Sequence, residues 1–505
     1  MEGLNVRVRV SARVSHVDEY LVACTVENHR HAVTIDILPD NVFVDIFDFC
    51  LFQSKWDPIQ RTKQWQILVH ICQRWRSIIF ASARRLDLYL TCSYRTRLEK
   101  NLAYWPVTFP LAIHYTRRHR TPEDDGALAV LEHSDRIHHI KVRGTDSLLA
   151  KVMQKPFPTL LHVDIEWDCN GKAVPPLESI PVIPWTFLGQ SASRLQYLCL
   201  SNLSFPHLPA LLLSARNLVT LKLENIFQGG YAYLSPEAMA GGLAMLPSLT
   251  TLSIELHYDT PPANQGSSRQ DPPIRAILPS LTVFYYMGFS EYLEELLSQI
   301  DTPRVDHVEI EYYAQELRAL QLSRFINRTE NLKFDQCRRT KAVFLPESFS
   351  VVFDFSQGGA HRVQLSLTTH QAWRALFLGQ LTATFSNVDH LSVHGDQFGL
   401  DEMDSTEWLP FLPQFPAVEA LRLSGGVAAY ITSALEHTAD SVTDVLPALY
   451  LIWLDDEENG DDEVPVGSME TFLSVRQLSG RPVTIVDTYN EFVEADRNPL
   501  LSSVV

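Results

Sequence analysis

Two pairs of carboxylates stand one residue apart in short apolar stretches: Asp164 and Glu166 in HVDIEW, and Glu309 and Glu311 in HVEIEY. On an extended strand this spacing turns both members of a pair to one side, away from the packed interior. Paired carboxylates so placed suit acid–base chemistry or the capture of cationic groups. Trp167, Tyr286, Tyr312 and Trp453 lie in similar stretches and supply large amphipathic rings. With the carboxylates they make a candidate surface for basic or amphipathic peptides. The compact signatures of common catalytic chemistry are missing: there is no GxSxG elbow, GxGxxG turn, GxxxxGK[ST] loop or HExxH helix. His29 with His31, His114 with His119, and His133 with His138 and His139 are spaced too loosely for a metal site. Cys72 falls on an apolar helical face, where a thiol behaves as a small hydrophobe rather than a nucleophile. Binding is therefore expected rather than catalysis, with no cofactor and no metal.

The chain that positions these residues has 505 amino acids, 46% of them hydrophobic and 20% charged. That is enough for a large core and more than one compact unit. Its 42 Lys plus Arg against 60 Asp plus Glu give a formal charge of -18, which would repel a phosphate backbone, so nucleic acid is not the expected partner. The 7 cysteines include no CxxC pair and are odd in number, which suits a reducing compartment, cytoplasmic or nuclear. No apolar run approaches membrane-spanning length. The opening residues, MEGLNVRVRVSARVSHVDEY, alternate Val with Arg, unlike a signal peptide. The sequon-like triplets at Asn202 and Asn327 then carry no glycan.

Residues 1–34 are read as a poorly defined extension. From Ile37 the pattern turns helical. Asp40 stands as a cap before Val42, Phe43, Ile46, Phe47, Phe49 and Cys50. After a polar insert, 53–63, a second helix is expected through Trp65, Leu68, Val69, Cys72, Trp75, Arg76 and Ile79, which recur at steps of three and four. The period then falls to two at Leu86, Leu88 and Leu90. The same short strand pattern returns in IHHIKVRG, LLHVDIEW, LQYLCLSN, LVTLKLEN, LTTLSIEL, LTVFYYMG, VDHVEIEY, VQLSL, VDHLSVHG, VEALRLSG and LYLIWLDD, mostly 23 to 35 residues apart.

This unit, LxxLxL followed by a polar residue and a variable return, resembles leucine-rich repeats. Its strands are expected to pair in parallel, with helical returns in PEAMAGGLAML, EYLEELLSQI, QELRALQLSRFI and WRALFLGQLTATF. Residues 259–273 and the acidic stretch 455–463 read as exposed loops. The fold class is α/β: a short all-α module, then an irregular leucine-rich-repeat-like solenoid with a parallel sheet. The module takes residues 35–82, the repeats 83–490, and a tail 491–505.

At Leu38-Pro39-Asp40, Ile46-Phe47 and LVHICQRWR from Leu68 to Arg76, the sequence resembles an F-box. The longer string WQILVHICQRWRSIIFASARRLDLYL, followed by LEKNLAYWP and an apolar strand, is similar to a large family of basidiomycete fungal F-box proteins. The resemblance implies that the module docks on a Skp-family linker subunit, and through it on a cullin. The implied contacts are Leu38, Pro39, Ile46, Phe47, Val69, Cys72 and Trp75, with Arg76 at the rim. It implies further that the chain is a substrate-recognition adaptor of an SCF-type ubiquitin ligase whose repeats hold a target protein. The alternative is a leucine-rich-repeat interaction scaffold with no ubiquitin-ligase role, its helices capping the first strand of the solenoid.

Overall fold

The computed structural model describes residues 35–487 except 53–57, 93–104, 106–108, 117–129, 145–150, 169–179, 191–192, 205–207, 228–233, 258–274, 314–319, 334–336, 345–347, 356–361, 369–385, 396–410, 438–444, 456–468 and single positions 84, 87, 151, 153 and 426. The expected extension 1–34, tail, loop 259–273, return helix WRALFLGQLTATF and most of the acidic stretch lie outside the described residues.

Near the start of the described residues stand three α-helices, α1 (Asp40–Phe52), α2 (Pro58–Val69) and α3 (Gln73–Ala81). The single long helix expected through Trp65 and Ile79 is two helices. The break is built by Cys72, whose Sγ accepts from the backbone N–H of Trp75 at 3.4 Å and so caps the N-terminus of α3. Arg76 ties the break from the other side, its Nε donating to the carbonyl of Val69 at 3.0 Å. Part of the expected polar insert is also helical, because Pro58 sits at the helix start, where its missing N–H costs nothing.

Strands follow: β1 (Leu90–Cys92), β2 (Leu111–Thr116), β3 (Ile137–Gly144), β4 (His162–Trp167), β5 (Tyr197–Ser201), β6 (Thr220–Ile226), β7 (Thr251–Leu256), the short β8 (Ala276–Ile277), β9 (Val283–Gly288), the short β10 (Ile300–Asp301), β11 (His307–Tyr313), β12 (Arg339–Phe344), β13 (Ser348–Asp354), β14 (Arg362–Thr368), β15 (His390–Gly395), β16 (Ala420–Gly425), β17 (Leu451–Asp455) and β18 (Thr484–Asp487). Helices α4 (Leu208–Ser214), α5 (Pro236–Leu243), α6 (Ser290–Gln299), α7 (Leu320–Arg328), α8 (Val427–His437) and α9 (Glu470–Leu478) lie between them.

Sixteen strands form one sheet in the order β1-β2-β3-β4-β5-β6-β7-β9-β11-β14-β13-β12-β15-β16-β17-β18, and β8 and β10 pair separately. The architecture is mixed α/β and solenoid-like, one large and mostly parallel sheet with helices between its strands. The expectation of uniformly parallel neighbours fails at one place. β12, β13 and β14 form an antiparallel meander that runs backwards through the sheet, so β14 joins β11 and β12 joins β15. RRLDLYL is likewise a strand only at its end. Leu86 and Leu88 are buried in the turns before β1.

Alternation builds the core. Ile140, Val163, Leu198, Leu221, Leu252 and Phe284 stand in register on β3 to β9, and all are fully buried. Each such side chain contributes on the order of 1.5–3 kcal/mol relative to exposure. Helices α4 to α7 pack one against the next on that side of the sheet. α5 starts at Ser235, whose hydroxyl accepts from Ala238 N–H at 3.2 Å, with Pro236 in its first turn.

The polar residue after the LxxLxL unit has a mechanical task. Asn202 and Asn225 take φ of 59° and 53°, a left-handed conformation that asparagine tolerates better than most residues. Asn202 Nδ2 donates to the Trp167 carbonyl at 3.1 Å, and Asn225 Nδ2 donates to Asn202 Oδ1. This ladder closes the ends of β4, β5 and β6, and the extra residue at Asn225 shifts the register between β6 and β7. Asn202→Ala removes both links and places an unfavourable backbone angle on alanine. The expected loss is about 1–3 kcal/mol, read as a lower urea midpoint; an unchanged midpoint would deny the ladder its structural role.

Candidate docking surfaces

On α1, Phe43, Val44, Phe47 and Leu51 face inward and are buried. Trp75 of α3 packs between two of them, 5.6 Å from the ring of Phe43 and 4.9 Å from that of Phe47. Phe47, Val69 and Trp75, expected as contacts for a partner, are thus part of the module's own core: Phe47 and Val69 are buried and Trp75 half-buried. Cys72 is half-buried and committed as a cap. Ile46 and Leu38 are half-exposed, while Pro39 and Arg76 are exposed. Arg74 holds the entry to α1, donating to the Leu38 carbonyl at 2.7 Å and to Asp40 Oδ1 at 2.8 Å.

A second apolar stripe runs along the other side of α1. Val42, Ile46 and Phe49 recur at helical spacing, and Phe49 is 76% exposed. Ile67 and Ile71, at the end of α2 and in the break after it, are 64% and 54% exposed, and Ile37 is 66% exposed. The sequence reading did not single out Phe49, Ile67, Ile71 or Ile37 as contacts. The available signal was an α1 with apolar residues on two opposite sides, more than one core can absorb.

The module also meets the sheet. Trp65 is fully buried, donates its Nε1 to the Tyr89 carbonyl at 3.2 Å, and packs 5.0 Å from the rings of both Trp105 and Phe109. Thr62 and Thr91 share a hydrogen bond of 2.7 Å beside it.

The sheet's other face, opposite the helices, carries the alternate residues of each strand. Asp164, Glu166, Glu309 and Glu311 all lie on it, half-exposed. Trp167, Tyr286 and Tyr312 do not. Each stands one residue from an outward neighbour, so the two-residue period turns it inward, where it is buried. Trp453 faces outward on β17, beside Arg422 of β16. The two carboxylate pairs differ in their partners. Asp164 meets Lys141 at 2.6 Å and Glu166 meets Arg143 at 3.3 Å, both across β3 and β4. Glu309 faces His307 of its own strand at 4.0 Å, and Glu311 and Glu224 both stand near Glu255. Burial, then Glu224 and Glu311, push the Glu255 carboxyl above the usual carboxylate range. The Tyr285 hydroxyl, ringed by Glu311, Glu255, Glu309 and Glu224, is pushed up to about 12, chiefly by burial.

One of the histidine spots contributes to a cross-strand ladder on this face: His139 stands between Tyr89 and His162, and His162 stacks on Tyr197 at 4.0 Å and 3°. Among the described residues no three His, Cys, Asp or Glu side chains come together to hold a metal ion, and no helix is long and apolar enough to cross a membrane. Burial pushes the thiols of Cys92, Cys199 and Cys337 up to about 12, which disfavours the nucleophilic thiolate at neutral pH.

Neither a protein-family profile nor a curated protein matches the chain. Among solved structures it is similar to the leucine-rich repeat-containing protein LegL7 from Legionella pneumophila, at 13% identity and a TM-score of 0.29, over 68% of this chain and 99% of that one.

The acidic block has a measurable pH signature. With the folded-state pKa of Glu255 raised, the native state binds more protons than the unfolded state between the two pKa values, so this group's contribution to stability falls as pH rises through them. Glu255→Gln should therefore raise the urea midpoint at pH 7, an advantage that disappears below the ordinary carboxylate range. A variant less stable than the native chain at pH 7 would contradict the electrostatic reading.

Proposed function

We propose that the chain is a substrate-recognition adaptor of an SCF-type ubiquitin ligase, its helical module acting as an F-box that docks on a Skp-family linker and its repeat sheet holding a target protein. One observation carries the docking half: the module keeps an apolar stripe of half-exposed Val42 and Ile46 and exposed Phe49 on a helix whose opposite side is already packed. With Ile67, Ile71 and Ile37 exposed in the same module, this is the composition of a surface that another protein covers. The LP-D opening, the Ile46-Phe47 pair and LVHICQRWR support the same reading, as does the likeness to basidiomycete F-box proteins.

The mechanism is proximity. An adaptor of this kind performs no bond chemistry; it holds a target where a ubiquitin-charged enzyme, recruited through the cullin, meets a target lysine at high effective concentration. A cytoplasmic or nuclear setting goes with this role. A second reading has its own support. Trp65 packs against Trp105 and Phe109 at the β1 edge, so the helices serve the solenoid as a cap, which a scaffold without a ligase role also needs.

Co-purification with a Skp-family linker subunit separates the two. The native chain is expected to retain the linker. Phe49→Asp with Ile67→Asp, both exposed, should weaken retention by ~30-fold or more, since a central apolar contact contributes about 2 kcal/mol or more, with the urea midpoint unchanged. A native chain that retains no linker reduces the protein to a repeat scaffold with capped ends.

A further inference from the structure

The open face of the sheet changes sign along its length. On β6, β7 and β11 it presents Glu224, Glu255, Glu309 and Glu311; Glu255 and Glu311 share a row through Met287 of β9, and Glu224 sits at the register shift near Glu255. Lys222 and His307 are the described cationic residues among them on those strands. The strand after β11 in the sheet begins the opposite field: Arg362 on β14, Arg339 and Lys341 on β12, and Arg422 on β16. Asp354 of β13 stands in register between Arg362 and Arg339 and offsets only part of it. The reversal falls at the antiparallel meander, whose three strands insert between β11 and β15. The ion pairs of β3 and β4 lie outside both fields, and within the acidic one His307 stands 4.0 Å from Glu309.

We propose that this face binds an extended, charge-segregated segment of a partner protein, with basic side chains over β6–β11 and acidic side chains over β12–β16. The inference rests on the reading that the sheet is the target-binding surface, and adds the target's charge pattern and orientation to it. Charge complementarity selects this occupant. A uniformly basic peptide gains on one field and is repelled by the other, and a phosphate backbone meets the reverse. β9 and β12 are four strand positions apart, roughly 19 Å at about 4.8 Å per strand, which ~6 residues of extended chain span. The separation makes the contact directional, because a segment lying the other way sets like charges together at both ends.

Two synthetic peptides of identical composition test it on the full chain by fluorescence anisotropy at low ionic strength: KKKKGGEEEE and its alternating isomer KEKEGGKEKE. The blocked peptide is expected to bind at least tenfold more tightly. Glu309→Lys with Glu311→Lys should bring it down to the isomer's affinity, and Glu309→Gln with Glu311→Gln should fall between. Equal binding of the isomers, or an unaffected double variant, overturns the proposal. Displacement of the blocked peptide by an oligothymidylate overturns it in favour of a nucleic-acid site, and a native dimer that Glu309→Lys with Glu311→Lys converts to monomer overturns it in favour of a second copy. Linker retention, measured on the same samples, is expected to stay intact, so failure here is distinguishable from failure of the adaptor reading.

Discussion

A parallel strand buries its inward side chains only while its neighbours hold the same register, because the two-residue period sends a slipped strand's apolar set to the solvent side. That constraint runs through the sheet. Ile140, Val163, Leu198, Leu221, Leu252 and Phe284 touch a common interior because the backbone hydrogen bonds align them. The same alignment sorts the alternate residues into rows on the open face. Core and open face are two consequences of one register, and the Asn202–Asn225 ladder pins it where the strands end.

The helical module belongs to this arrangement at one point and departs from it at another. Trp65 extends the buried interior past β1 through its contacts with Trp105 and Phe109 and its bond to Tyr89. The first strand therefore does not expose its edge as a template for non-specific pairing. α1 has one side in this core and one side left over. A terminal cap asks for a polar outer surface; Phe49 and Ile67 are the opposite of that.

Much of the solenoid was legible from residues alone, because LxxLxL states the strand, its inward side and its end at once. β3 to β7, β9 and β11 lie where the repeated strings stand, and so do α5, α6 and α7, while the short β8 and β10 fall in none of the strand strings. The meander was not legible. Strand strings carry no mark of direction, and whether a return runs parallel or antiparallel depends on connections that period-two alternation does not encode. Three of the four expected aromatic residues turn inward for a reason already present in the strings: in VDIEW, Trp167 has the parity of Ile165 rather than of Glu166. The break between α2 and α3 was hidden for a different reason. Leu68, Cys72, Trp75 and Ile79 keep a helical period across it, and a thiol is an uncommon cap.

A hydrogen–deuterium exchange footprint of the chain, with and without a purified Skp-family linker subunit, tests the central claim most directly. Docking through the helical module is expected to slow exchange only in the segments 37–50 and 67–76, where Ile37, Phe49, Ile67 and Ile71 stand, with β6 to β16 unchanged. Slowed exchange across those strands, or no footprint at all on the helices, would contradict it.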